Sequence, residues 1–435
     1  ISSNRTEWAR KNMSNKATEI LDRDADCLLH QSLSTPCLNV LTKSKGATIT
    51  TIDGKTLLDF HGNYVHNLGF GHPSVIKAIT EQMESLSFCT RRYTNKPAVE
   101  LAEKLVQFTN NELTRVLFTP SGTAAIGMAL KIARMVTGKH KTISLWDSFH
   151  GASLDAISIG GEAVFRNGIG PLLAGTEHAP TPNPSECPFK CGSTCANHCA
   201  NYIEYMLEKE GDVCAVIAET IRATPFIPSK DYWQTVREAC NRHGALLILD
   251  EIPHALGRTG THFTYQQYGI VPDMVVIGKG LGGGIFPLAT VLAKEEFNNF
   301  VKHRAIGHYT HEKNPVACAA ALAMLKVIDE ENILDHVKEM SELAQEKLDQ
   351  LASKFTFIHD VRIIGLIMGI ELRIPSTKVP AIDVAEKVMY RCLELGLSFK
   401  LSMGSTINLT PPMNITPNEL TRAFQIIEQA LGEIS

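Results

Sequence analysis

Three short apolar runs in the middle of the chain each end in an ionisable residue: CAVIAE at Glu219, LLILD at Asp250 and MVVIGK at Lys279. Runs of this length without polar alternation read as strands buried on both faces. Amphipathic helical patterns lie among them, such as DYWQTVREACNRH, stopped by Gly244. Buried strands alternating with helices imply an α/β architecture, a mostly parallel sheet flanked by helices. In open sheets of this kind ligands sit beyond the carboxyl ends of the strands, where these three residues are expected. A further run, VLFTP, leads into Ser121-Gly122-Thr123 and the helical pattern AAIGMALKIARMV. The N–H groups at such a helix start bind phosphate.

A lysine ending a buried strand can form a Schiff base, and desolvation there lowers the pKa of its amine. The glycines of GLGGG, which follow Lys279, let a planar ligand approach the backbone. An aspartate ending LLILD suits a protonated pyridine nitrogen, a pairing that makes the ring an electron sink. Taken singly, each feature has a plainer reading: a snorkelling lysine, a capping aspartate, an ordinary turn. GKGLGG also fits a dinucleotide fingerprint, but only IFPL separates it from the next strand, ATVLA. That leaves no room for the crossover helix such a site needs.

The chain ends read differently from the middle. ATITTIDGKTLLDF forms short strands around an Asp53-Gly54 turn. After about residue 315 come two helical patterns, PVACAAALAMLKVIDEEN and HVKEMSELAQEKLDQLASK, then a short sheet (FIHDVRIIGLIMGIELR) and a closing helix. The expected division is a large domain over 70–315, with a small α+β domain made from 1–69 and 316–435.

The 42 Lys and Arg residues nearly balance 46 Asp and Glu, so nothing in the charge favours nucleic acid or an anionic membrane as partner. The apolar runs are too short to span a bilayer, and the polar N-terminus has no signal region; a cytoplasmic enzyme is expected. Seven of the eleven cysteines (Cys27, Cys37, Cys89, Cys214, Cys240, Cys318 and Cys392) read mostly as small reduced hydrophobes. The other four, Cys187, Cys191, Cys195 and Cys199, share CPFKCGSTCANHC with His198. Metal site, loop packing and redox staple are all open readings, and no metal is assigned to the chemistry.

The segments SGTAAIGMALKIAR, SFHGAS, VIAET, LILDEIPHALGRTG, PDMVVIGKGLGGGIFPLATVLA and YTHEKNPVACAAALA together resemble the class III (omega-type) aminotransferase family of fold-type I pyridoxal-phosphate enzymes. The interval of 29 positions from Asp250 to Lys279 suits it. The resemblance implies pyridoxal 5'-phosphate as cofactor. Lys279 would be its Schiff-base residue and proton carrier, and Asp250 would pair with the ring nitrogen. Ser121, Gly122 and Thr123 would hold the phosphate, helped by Thr310 of the partner subunit in a homodimer. Phe149 would stack on the ring with His150 beside it, Ile252 would pack under the other face, and Glu219 would stand near ring and substrate.

Several positions depart from the family pattern. Ile252-Pro253-His254-Ala255 stands where many members carry Val-Gln-Thr-Gly, and Thr220-Ile221-Arg222 where Pro-Val-Gln is usual. Ala124 and Gly127 replace two glutamates, and Asn408 stands where an arginine commonly grips a carboxylate. Asparagine cannot replace that bidentate grip. Arg222 and the pair Arg91-Arg92 are candidate grips for a phosphonate or phosphate. The pattern looks like a subgroup that eliminates rather than transfers. It implies an ammonia-lyase of a hydroxylated amino-phosphonate, with Lys279 starting the reaction and phosphonoacetaldehyde and ammonia as products. His254, His308 and His311 are candidate acids for the hydroxide leaving group. The alternative is transfer from an omega-amino or amino-phosphonate donor.

Overall fold

The computed structural model describes residues 2–31, 37–191 and 195–434. They form two compact units, one from residues 1–72 and 335–435, the other from 73–334. In the smaller unit β1 (Leu41–Lys45), β2 (Thr48–Thr51) and β3 (Thr56–Asp59) make an antiparallel meander. Gly54 takes the positive φ of 83° that the β2–β3 turn needs.

The larger unit holds β4 (Arg115–Thr119), β5 (Lys141–Leu145), β6 (Thr176–Ala179), β7 (Val213–Glu219), β8 (Leu246–Asp250), β9 (Met274–Ile277) and β10 (Ala289–Ala293). Their order in one sheet is β4-β10-β9-β8-β7-β5-β6. Every pairing is parallel except those of β10, which runs antiparallel to both β4 and β9. The eleven residues 278–288 that join β9 to β10 are too few for a helical crossover, which fits this direct antiparallel return. The helix Gly122–Thr137 presses Ile126, Ala129 and Ala133 onto Ile217, Ile248, Val276 and Val291 of the sheet. Each large aliphatic side chain buried there contributes about 1.5–3 kcal/mol of transfer free energy.

The smaller unit is completed by β11 (Ile358–Ile364), β12 (Ile367–Leu372), β13 (Leu397–Ser398), β14 (Lys400–Ser402) and β15 (Thr406–Leu409). β13 lies parallel to β3, so this unit's sheet joins both chain ends. The sheet β11-β12-β15-β14 carries Asn408, fully buried, whose Oδ1 accepts from Tyr64 Oη at 3.0 Å.

One difference from expectation has a physical cause. The helix Pro315–Glu330, expected in the small domain, lies in the larger unit, where it packs on the helices Pro73–Ser85 and Lys96–Phe108. Its small residues Ala317, Ala320 and Ala321 are buried and permit close helix approach. The helix Ser3–Asn12, which buries Trp8 alone, has no apolar stripe by which periodicity could find it.

Candidate active site

β7, β8 and β9 are in register at their carboxyl ends: Glu219 pairs with Asp250, and Asp250 with Val276. Paired residues project to the same face of a sheet, so the two carboxylates start side by side. Asp250 is buried, and its Oδ1 accepts from the Ile252 amide at 3.0 Å. Its Oδ2 lies 2.7 Å from Nδ1 of the buried His150, which must donate if the carboxylate is ionised. Opposite, Glu219 Oε1 accepts from the Phe149 amide at 3.0 Å. The segment after β5 thus supplies a backbone donor to one carboxylate and a ring donor to the other.

Ile252 lies between two glycines. A Cβ on Gly122 would stand 2.9 Å from Ile252 Cδ1, and one on Gly278 would stand 3.4 Å from Ile252 Cγ2. Lys279 follows Gly278 with φ 47°, a left-handed conformation seldom adopted by residues with a Cβ. Lys279 is exposed in the single chain.

Ser121 caps the helix Gly122–Thr137, its hydroxyl accepting from the Ala124 amide at 3.1 Å. Thr123 Oγ1 accepts from the Ala152 amide at 3.3 Å. Gly151, at φ 134°, packs so tightly on Thr123 that a Cβ would come within 2.1 Å of Oγ1. Gly127, one of the departures, leaves space filled by Asp155, whose Oδ2 lies 2.8 Å from the place of a Cβ. Thr310 is exposed, in the segment before the helix Pro315–Glu330.

Arg222, a candidate anion grip, is an engaged cation. One guanidinium nitrogen donates to both oxygens of Glu219, at 2.8 and 3.1 Å, and the other donates to Glu162. Glu162 had no signal in the sequence; the helix Ala163–Arg166 that follows it also brings Phe165 to 4.8 Å from Phe149, ring centre to ring centre. Arg91 is likewise occupied, by His308, the Tyr309 carbonyl and Glu312. Arg92 is exposed.

His254 is fully buried and shares a hydrogen bond with Thr264 Oγ1 at 3.0 Å. Burial lowers its pKa to about 4, against the pull of the Asp250 charge, so the ring is neutral near pH 7. It cannot serve as an acid there. His308 accepts from Arg91 and His311 lies beside Asn314, so neither is built into this cluster. The sequence reading missed Glu251, fully buried beside Asp250. Its carboxyl accepts from Thr220 Oγ1 and the amides of Thr264 and Tyr265, yet burial lifts its pKa to about 7.

Among the described residues no group of three or more His, Cys, Asp or Glu side chains is placed to hold a metal, and no helix is long and apolar enough to cross a membrane.

A strand-end lysine and aspartate beside a phosphate-type helix start define a class, and comparison with known proteins supplies its family. The model of the aminotransferase class-III family matches residues 30–431, and this chain belongs to that family. It is 47% identical, over 99% of its length and 93% of the relative's, to (R)-1-hydroxy-2-aminoethylphosphonate ammonia-lyase of Vibrio splendidus. It is 32% identical to acetylornithine aminotransferase of Caldanaerobacter subterraneus, covering 91% of this chain and 95% of that one. Among solved structures, an amine transaminase from an uncultivated Pseudomonas species in its PLP-bound form superposes with a TM-score of 0.86 at 27% identity, over 94% of this chain and 99% of the other. The omega transaminase of Pseudomonas jessenii in complex with PMP gives 0.90 at 25% identity, over 95% and 98%. The fold is that of the fold-type I pyridoxal-phosphate enzymes.

Proposed function

We propose that this chain binds pyridoxal 5'-phosphate and acts as an ammonia-lyase on (R)-1-hydroxy-2-aminoethylphosphonate, within phosphonate degradation in the cytoplasm. The observation that carries this reading is the 47% identity, over nearly the whole chain, to the Vibrio splendidus enzyme of that name.

The residues present fit the cofactor. The first N–H groups of an α-helix have no acceptor within it, and Gly122 and Gly151 keep Cβ atoms away from that helix start, which suits a phosphate. Ser121, Gly122 and Thr123 would hold the phosphate, with Thr310 of the partner subunit in a homodimer. Asp250, oriented by His150, suits a protonated ring nitrogen. Phe149 and Ile252 would flank the ring, and Lys279 would carry the cofactor on Nζ. When bound, the group supplies an electron sink for the carbon bearing the amino nitrogen.

Displaced from the cofactor by the substrate amine, Lys279 Nζ would be a free amine able to take a proton from that carbon. Hydroxide leaves the neighbouring carbon with the electrons of its C–O bond, and a carbon–carbon double bond forms. Because His254 is neutral, Lys279 itself, now an ammonium, is the acid that can return its proton to the hydroxide. Water adds to the released enamine, giving phosphonoacetaldehyde and ammonia. Arg222 is the cation offered to the phosphonate. With Glu219 and Glu162 it forms a group of net charge −1, so the phosphonate must take the guanidinium from a carboxylate.

A second reading, amino-group transfer, is favoured by the family model and by transaminase neighbours. Incubating enzyme and substrate without any keto acid separates the two. Sustained ammonia release is expected; one half-turnover that stalls in the aminated cofactor form would establish the transferase instead.

A further inference from the structure

The cysteine segment is unused by the chemistry above. Cys187 and Cys191 close a tight turn in which the Lys190 amide donates to the Cys187 carbonyl at 2.9 Å and Lys190 takes φ 55°. The turn brings the two sulfurs to 3.7 Å, van der Waals contact, with both residues partly open to solvent. Cys195 is exposed, and its sulfur faces Asn197 Oδ1 at 3.9 Å. Cys199 is buried.

We propose that Cys187 and Cys191 form a redox-active dithiol, closed to an intrachain disulfide by a low-molecular-weight disulfide of the glutathione type. Cys187 is the attacking thiol. Burial raises its pKa, but the N–H groups of Cys191, Phe189 and Lys190 and the neighbouring thiol outweigh this and bring it below the usual thiol value. Cys191 shifts the other way, held up by burial and by the thiol of Cys187. The Cys187 thiolate attacks one sulfur of the reagent and expels the first thiolate. Cys191, losing its proton, then attacks the Cys187 sulfur and expels the second. Two protein thiols lose two protons and two electrons, and the reagent becomes two thiols. The five-residue turn holds the second thiol beside the mixed disulfide, so closure outruns release. Burial raises the thiol pKa at Cys199 to about 11 and at Cys240 and Cys318 to about 12, which disfavours attack there.

The test is to incubate the reduced full-length chain with oxidised glutathione, alkylate the remaining thiols, digest, and map the bridges by mass spectrometry. A Cys187–Cys191 bridge is expected, formed equally in Cys195→Ser. Cys191→Ser should leave glutathione trapped on Cys187. Bridging of Cys195 to Cys191 or Cys199, or a lasting glutathione adduct on Cys187 of the unsubstituted chain, would overturn the proposal. Far-UV circular dichroism of each variant separates a lost bridge from a lost fold.

Discussion

Arg222 and Glu219 are locked together: one guanidinium nitrogen reaches both carboxylate oxygens, at 2.8 and 3.1 Å, while Glu162 holds the opposite nitrogen. If the phosphonate must compete for this cation, weakening the competitor helps the substrate. Glu162→Gln should therefore lower KM roughly tenfold, the effect of about 1.4 kcal/mol. Arg222→Lys keeps the charge but loses the fork, and should raise KM by a similar factor. Steady-state ammonia release measures both. Unchanged KM in the two variants would remove Arg222 from the substrate.

Asp250 and Lys279 should fail in different ways. Asp250→Asn keeps the shape but loses the negative charge that a protonated ring nitrogen needs. A drop in kcat of at least about 100-fold is expected, the scale of losing one preorganised electrostatic partner. Lys279→Ala should abolish turnover and remove the visible absorbance band of the attached cofactor. An equal band in Lys279→Ala would contradict the attachment.

The glycines around the helix start differ in how much they can change. At Gly122 a Cβ meets the flexible Cδ1 of Ile252, which can rotate away. At Gly151 it meets Thr123 Oγ1 and backbone, at φ 134°. Gly151→Ala should weaken cofactor binding at least about tenfold more than Gly122→Ala. Fluorescence titration of the cofactor-free variants reads this directly.

The buried neighbours Glu251 and His254 push stability in opposite directions as pH changes. The folded pKa of Glu251 is raised from 4.5 to about 7, so its contribution is full below the unfolded value and is lost as pH rises to 7. The folded pKa of His254 is lowered from 6.5 to about 4, so its contribution is full above 6.5 and is lost as pH falls toward 4. Between about pH 4.5 and 6.5 the two largely cancel. Denaturant unfolding of His254→Asn should show stability falling with rising pH in that window, and Glu251→Gln should show it rising. Each slope is on the order of 1 kcal/mol per pH unit. Parallel profiles for both variants would refute the opposition.

The strands that lead to Glu219, Asp250 and Lys279 were legible because a buried strand of a parallel sheet leaves an uninterrupted apolar run. Helices with a cap and one apolar face, such as Lys96–Phe108 behind Asn95, were legible for a similar reason. Glu162 and Glu251 were not. Each owes its role to partners far off in sequence or to burial, and neither has a periodic pattern. The ion pairs of Arg222 were not legible either, because a sequence does not say which charge has already been claimed. The end of the larger unit was also hidden, since the alanine-rich helix Pro315–Glu330 suits either unit by composition.

Lys279 sits at φ 47°. A side chain there costs on the order of 1 kcal/mol that glycine does not incur. Glycine there would relieve that cost in the cofactor-free chain, set against the contacts that the lysine side chain makes. A breeding programme that selected only for relief of backbone strain would have an incentive to delete the residue proposed to start the chemistry. Variants of this enzyme meant for hot reactors should be screened for turnover at every round, because at this position backbone ease and reactivity pull apart.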